Sequence, residues 1–206
     1  MTSKLVLIGG VSGVGKTTIA NRLSRVLGCP NIRIHPYVLK LANDRGIKNP
    51  INSWDRLFQD CMPKFIQDIE KWEIAVCDHH FAVQPIYDTA YALGQDLSED
   101  LREPYVKSFC DDSLKIKDWS RVVVYPTFLD APADKILARR ARLSNIKKPR
   151  SLDLRSIDNE RTHEQRYFDE ARVLFKISCG DLGIRLENRE GELEETFKNL
   201  LKHITR

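Results

Sequence analysis

A chain of 206 residues, 42% hydrophobic and 30% charged, suits one soluble domain with its own core. Its longest apolar runs, such as Leu5–Ile8 and Val122–Val124, are too short to span a bilayer, and the start at Met1 shows no signal-peptide pattern, so the expectation is a cytoplasmic protein with no membrane partner. The net charge of +4 suits a nucleic-acid binder or a protein handling phosphates alike, while five scattered cysteines with no Cys-x-x-Cys pair argue for reduced structural thiols and against structural zinc.

Strand-like and helix-like stretches alternate along the chain, which predicts an α/β fold with a mostly parallel sheet. A first strand at Lys4–Ile8 runs into a glycine-rich turn. A helix follows from about Thr17 to Leu27, with Ile19, Leu23, Val26 and Leu27 on one face and Gly28 as its stop. A short strand is expected at Ile32–Ile34, then a helix opened by Pro36 and a second one from about Trp54 to Trp72. Ile74–Cys77 reads as a strand ending in Asp78-His79-His80. Residues 83–117 read as mostly helical. Strand Val122–Leu129 contains Pro126, which would cost a ladder bond, so a bulge or an edge position is expected there. A helix over Ala133–Leu143, a basic loop over Ser144–Arg155 and a long helix over about Ser156–Ser178 come next. The last strand is Ile184–Leu186. The final helix carries an apolar stripe of Leu193, Phe197, Leu200, Leu201 and Ile204, read as core.

Residues Gly10 to Thr17 fit G-x-x-x-x-G-K-[ST], the P-loop pattern, between a buried strand and an amphipathic helix. Gly10, Gly13 and Gly15 let the backbone curl, so that the loop through Ser12, Val14 and on to Thr18 can turn N–H groups toward phosphates. The helix N-terminus adds its dipole. Lys16 would reach the β- and γ-phosphates of ATP, and the Thr17 hydroxyl would ligate Mg2+. Such a site also needs a carboxylate near the metal, at the end of a strand beside the first. Asp78 fits. Asp130 competes, but Ala-Pro-Ala-Asp after it reads better as a turn and helix cap. The transferred group carries dispersed negative charge, and cations closing over it would stabilise it. Arg139, Arg140 and Arg142, then Lys147, Lys148, Arg150 and Arg155, then Arg161 and Arg166 form a basic hairpin where a mobile lid would sit, over about residues 139–166.

With these residues in place, the chain resembles the P-loop nucleoside monophosphate kinases, and more narrowly the archaeal adenylate kinases and the nuclear adenylate kinase group. The P-loop, Asp78-x-His80 with Val83 and Pro85, Ile136-Leu-Ala-Arg-Arg140, and Glu187-Asn-Arg-Glu-Gly191 carry the resemblance. It implies a single domain over residues 1–206 with the P-loop NTPase three-layer fold, a five-stranded sheet and a short lid. It further implies that Asp78 acts on Mg2+ or its water shell and that His80 positions the acceptor or a metal-bound water. Asn188 and Arg189 would lie near the donor base.

The acceptor side departs from the family. Ile34-His35-Pro36 stands where a small-residue, glycine-rich turn is typical, which makes His35 a candidate acceptor contact. Arg56 is the candidate for a bidentate grip on an acceptor phosphate. Regions 35–70 and 81–117 are the candidate acceptor walls. The reading that follows is transfer of the ATP γ-phosphoryl group to a nucleoside monophosphate such as AMP. A kinase for another small acceptor stays open, as does an ATPase acting in RNA processing or ribosome assembly, with the basic hairpin meeting RNA phosphates.

Overall fold

The apolar residues of strand β1 (Ser3–Gly9) run consecutively because both faces of the strand are covered. In this computed structural model, which describes residues 2–48, 53–78, 121–143, 153–179, 184–188 and 193–205, alternate β1 side chains feed two separate cores. Leu5 and Leu7 pack with α2 (His35–Asp44) and α3 (Trp54–Ile69), through Val38, Phe58, Phe65 and their neighbours. Val6 and Ile8 pack with α1 (Lys16–Leu27) and α6 (Leu193–Ile204), through Ile19, Leu23, Phe197 and Leu200. The result is the expected three-layer α/β arrangement.

The sheet is parallel throughout, in the order β2-β1-β3-β4, with β2 spanning Ile74–Cys77, β3 Val122–Asp130 and β4 Ile184–Glu187. Four strands are present among the described residues, and the count of five expected from sequence is corrected at Ile32–Ile34. There the chain makes a single parallel bridge, Asn31 to Val76. The Ile32 N–H donates to the Val76 carbonyl at 2.7 Å and the Val76 N–H to the Pro30 carbonyl at 2.9 Å. Extension stops because Ile34 is already in the right-handed helical region (φ −72°, ψ −33°) as the cap of α2, with Pro36 in the first turn.

Pro126 is the second difference. The register of β3 against β1 runs unbroken from Ser3 opposite Val122 to Gly9 opposite Phe128, so there is no bulge, and β3 is an interior strand. Pairing with β4 begins only at Thr127. Pro126 therefore sits one residue before that ladder starts, where the missing N–H interrupts no pairing with β4.

Helix ends follow the sequence closely. Gly28 takes the left-handed conformation (φ 62°) that closes α1, and the next N–H, of Cys29, returns to the Ser24 carbonyl at 3.0 Å. Helices α4 (Ala133–Leu143) and α5 (Leu154–Cys179) pack against each other, and α5 lies on β3 with Phe168 against Phe128, ring centroids 5.2 Å apart. In α6, Phe197, Leu200 and Ile204 are buried, and Leu193 and Leu201 pack on the same core. Cys29, Cys61 and Cys77 are buried thiols outside any disulfide. Among the described residues no helix is long and apolar enough to cross a membrane.

Two carboxylates tie helices down and set an acid limit. Burial alone would push the Asp130 carboxyl up, but hydrogen bonds from Arg161 and Arg185 outweigh it and hold the group below the ordinary carboxylate value. Asp68 is lowered to about 2, chiefly by Lys71, with Lys64 and Tyr37 adding to it against partial burial. Both folded-state values are depressed, so this stability is present above the unfolded value of 3.8 and is lost as pH falls below it. Thermal melts between pH 7 and pH 2.5 should therefore show the stability gap between the wild-type chain and Asp130→Asn shrinking below about pH 4. A gap that stays constant across that range would show that the Asp130 charge contributes nothing.

Candidate active site

The site is built on the turn from β1 into α1. Gly10, Gly13 and Gly15 have φ of +123°, +93° and +106°, values that residues with a Cβ rarely adopt. At Gly10 the restriction is also steric, because a Cβ there would lie 2.1 Å from the Leu129 carbonyl oxygen of β3. The loop is thus pressed against the neighbouring strand by backbone alone.

Side chains from the start of α1, from α4 and from the end of β4 take up the loop's carbonyls. The Lys16 ammonium donates to Gly10 O and, at 3.0 Å, to Val11 O. Arg140 Nε donates to Ser12 O at 2.9 Å, and Arg139 Nη1 donates to Val14 O at 3.1 Å. Asn188 Nδ2 donates to the same Val14 carbonyl at 2.6 Å, and its own carbonyl accepts from Arg139 Nη2 at 3.2 Å. Asn188 is buried after β4, fixed by its N–H to the Asp130 carbonyl at 2.7 Å. In a glycine loop of this kind the backbone N–H groups can form an anion-binding concavity, although that of Val14 donates to the Val11 carbonyl at 3.3 Å. Helix α1 supports this: Gly15 supplies no side-chain cap, and its first turn holds no acidic residue, so its N-terminal dipole is not neutralised there.

Asp78 follows β2 and is fully buried. Its Oδ2 accepts from the Thr17 hydroxyl at 3.0 Å. Asp130, the competing carboxylate, is engaged elsewhere: Arg161 holds it by Nε at 2.9 Å and Nη2 at 3.0 Å, Arg185 by Nη2 at 2.8 Å, and it accepts from the Ala131 N–H at 2.8 Å. The structure therefore brings Asp78, not Asp130, against the loop. The Thr17 hydroxyl and the Asp78 carboxylate are hard oxygen donors side by side where the loop enters α1. They fit Mg2+, which takes one or two protein ligands and fills the rest of its octahedron with phosphate and water oxygens.

Two residues of this site were not singled out from the sequence. Arg33 Nη2 lies 2.6 Å from Asp78 Oδ2. Glu160, on α5, makes a forked ion pair with Arg140. Of the remaining sequence candidates, Thr18 is exposed in the first turn of α1, His35 opens α2, and Arg56 is exposed in the first turn of α3. Arg142 and Arg155 are exposed. His79, His80, Lys147, Lys148, Arg150, Arg189 and the region 81–117 lie outside the described residues, as does the Arg166 side chain. Within the hairpin, Arg139, Arg140 and Arg161 are engaged as anchors to the loop and to Asp130.

Fold and loop together match the setting of the P-loop pattern, a parallel sheet with a glycine turn leading from its first strand into a helix. The chain is 24% identical over 205 residues to the adenylate kinase of Thermoplasma volcanium, an alignment covering 96% of this chain and 98% of that one. Among solved structures it is similar in fold to the deoxyadenosine kinase from M. mycoides with bound dATP (TM-score 0.58, 13% identity, covering 98% of this chain and 99% of that one). The same enzyme with the products dCMP and a flexible dCDP gives a TM-score of 0.57 at 13% identity, covering 98% of both chains. No known family profile matches the chain. The resemblance to archaeal-type adenylate kinases, carried in the sequence by a few short motifs, is thus borne out over nearly the full length.

Proposed function

We propose that the chain transfers the γ-phosphoryl group of ATP to a nucleoside monophosphate, AMP first among the candidates, with Mg2+ as cofactor. The observation that carries this reading is the placement of Thr17 and Asp78 together where a glycine loop, its carbonyls held by Lys16, Arg139, Arg140 and Asn188, enters α1. The adenylate kinase relative points to the same chemistry.

In this reading the loop from Gly10 through Ser12, Gly13, Val14 and Gly15 to Thr18 binds the donor phosphates through its N–H groups. Lys16 moves from the Gly10 and Val11 carbonyls to the β- and γ-phosphates. Thr17 and Asp78 would hold Mg2+, which when bound would neutralise phosphate charge. Asn188 and Arg189 flank the donor base, His80 positions the acceptor or a metal-bound water, and His35 and Arg56 serve the acceptor side. Arg139 stabilises charge on the group in flight. Arg140 has a different part, as a positioning residue, because it is buried between Ser12 O and Glu160. The protein aligns the substrates, supplies charge and excludes water; it forms no covalent intermediate.

Incubation with Mg-ATP and a panel of acceptors, followed by ADP assay, tests the proposal. AMP-dependent ADP formation is the expected result. ATP consumption indifferent to every nucleotide acceptor would overturn it and favour an ATPase role. A second reading, a kinase for another small acceptor, is favoured by one observation: α2 begins directly at His35-Pro36, with no glycine turn. The same panel, extended to nucleosides and phosphorylated metabolites, separates the two. Arg139→Ala should lower kcat about 100-fold, the scale of losing one preorganised charge donor, with a much smaller effect on ATP affinity. Equal losses in both would argue against a transition-state role.

A further inference from the structure

One oxygen of Asp78 serves two donors. Oδ2 accepts from Thr17 at 3.0 Å and from Arg33 at 2.6 Å. The two partners of the ion pair differ sharply in surroundings, for the Asp78 side chain is fully buried while that of Arg33 is 44% exposed. Asp78 is fixed at the end of β2. Arg33 hangs from the short segment between the Asn31–Val76 bridge and the start of α2. The anion is anchored and the cation has room to leave.

We propose that Arg33 is an exchangeable counter-ion: it holds Asp78 Oδ2 in the metal-free chain and gives up that oxygen when Mg2+ arrives. This rests on the reading of Thr17 and Asp78 as the metal pair. A buried carboxylate is strongly disfavoured without counter-charge, and in the metal-free chain Arg33 contributes to it. A guanidinium and a divalent cation on the same oxygen would repel each other at close range, in a setting where water screens poorly. The exchange keeps the carboxylate balanced in both states and makes metal entry and arginine release one event. Sheet order puts this event on the β2 side of the loop, across from Asn188, which follows β4.

The test is calorimetric titration of ADP into the protein at a series of free Mg2+ concentrations. In the wild-type chain ADP affinity should rise with Mg2+. In Arg33→Gln the same rise should occur at roughly fivefold lower Mg2+, the lower end of typical coupling between sites. Arg33→Lys keeps the charge and should stay near wild type. An unchanged or higher Mg2+ requirement in Arg33→Gln would overturn the proposal, as would an Arg33→Lys shift as large as that of Arg33→Gln. Should Arg33→Gln fail to fold, nitrogen-15 NMR of the wild-type chain supplies the readout. Hydrogen exchange of the Arg33 guanidinium should be slow with ADP alone and faster once Mg2+ is added; exchange indifferent to Mg2+ would sink the idea. A wild-type chain that binds no ADP at any Mg2+ concentration would instead defeat the kinase reading on which the exchange rests.

Discussion

Lys16→Met should leave the chain folded and lower its phosphoryl-transfer rate by about 100- to 1,000-fold, the scale seen when one preorganised donor to a developing charge is removed. Methionine keeps an unbranched stem and deletes the charge. In the resting structure the ammonium lies on the Gly10 and Val11 carbonyls, across the turn that leads into α1. From that position a rotation of the flexible stem is enough to trade two carbonyls for phosphate oxygens, so the loop stores its cation next to where it is needed. The resting contacts also brace the loop, and part of the loss could arise from a slackened backbone. Melting curves separate the two contributions. Two partly buried hydrogen bonds contribute about 1–3 kcal/mol together, so a modest drop in stability beside a large drop in kcat is the expected pattern. A rate loss under about tenfold would mean that Lys16 is a brace and not a phosphate ligand.

How far the sequence showed this site depends on how local each feature is. The β1 strand, the loop and α1 were legible because a consecutive apolar run, three glycines and an amphipathic repeat lie next to one another. Ile32–Ile34 misled because its apolar spacing suits a strand, whereas Pro36 starts α2 so early that only one bridge can form. Pro126 misled in the other direction: a general rule about proline in sheets could not say where β4 would begin to pair. The preference for Asp78 over Asp130 rested on the turn-like residues that follow Asp130. Asp130 does accept the N–H of Ala131, as a turn residue would, but its main partners are Arg161 and Arg185, which are distant in sequence. Arg33 and Glu160 left no signal. Each is one charged residue among many, and each matters only through a partner that the fold brings near, Asp78 in one case and Arg140 in the other.

The Arg140–Glu160 pair yields the second large effect, and its asymmetry is the informative part. Arg140 is 4% exposed and Glu160 is 23% exposed. Removing one member of a buried pair costs about 3–5 kcal/mol when the charge left behind stays out of water. Glu160→Ala leaves the guanidinium in that position. Arg140→Met leaves a carboxylate that water already reaches, and it retains an aliphatic stem beside Gly13, where an added Cβ would lie 3.2 Å from Arg140 Cγ. Urea denaturation should therefore rank Glu160→Ala as the less stable variant. The double variant Arg140→Met/Glu160→Ala should recover part of the Glu160→Ala loss, because it also removes the buried guanidinium that has lost this carboxylate. The reverse order of the single variants would show that the arginine's own packing outweighs its charge. The pair also bears on the nucleotide, because Arg140 Nε is what holds the Ser12 carbonyl. If that hold positions the loop, Glu160→Asp should restore ADP affinity in step with stability, whereas Arg140→Met should weaken ADP binding even under conditions where the variant is fully folded. Full ADP affinity in folded Arg140→Met would confine the pair to joining α4 and α5, and would leave the shape of the loop to its glycines, Lys16, Arg139 and Asn188.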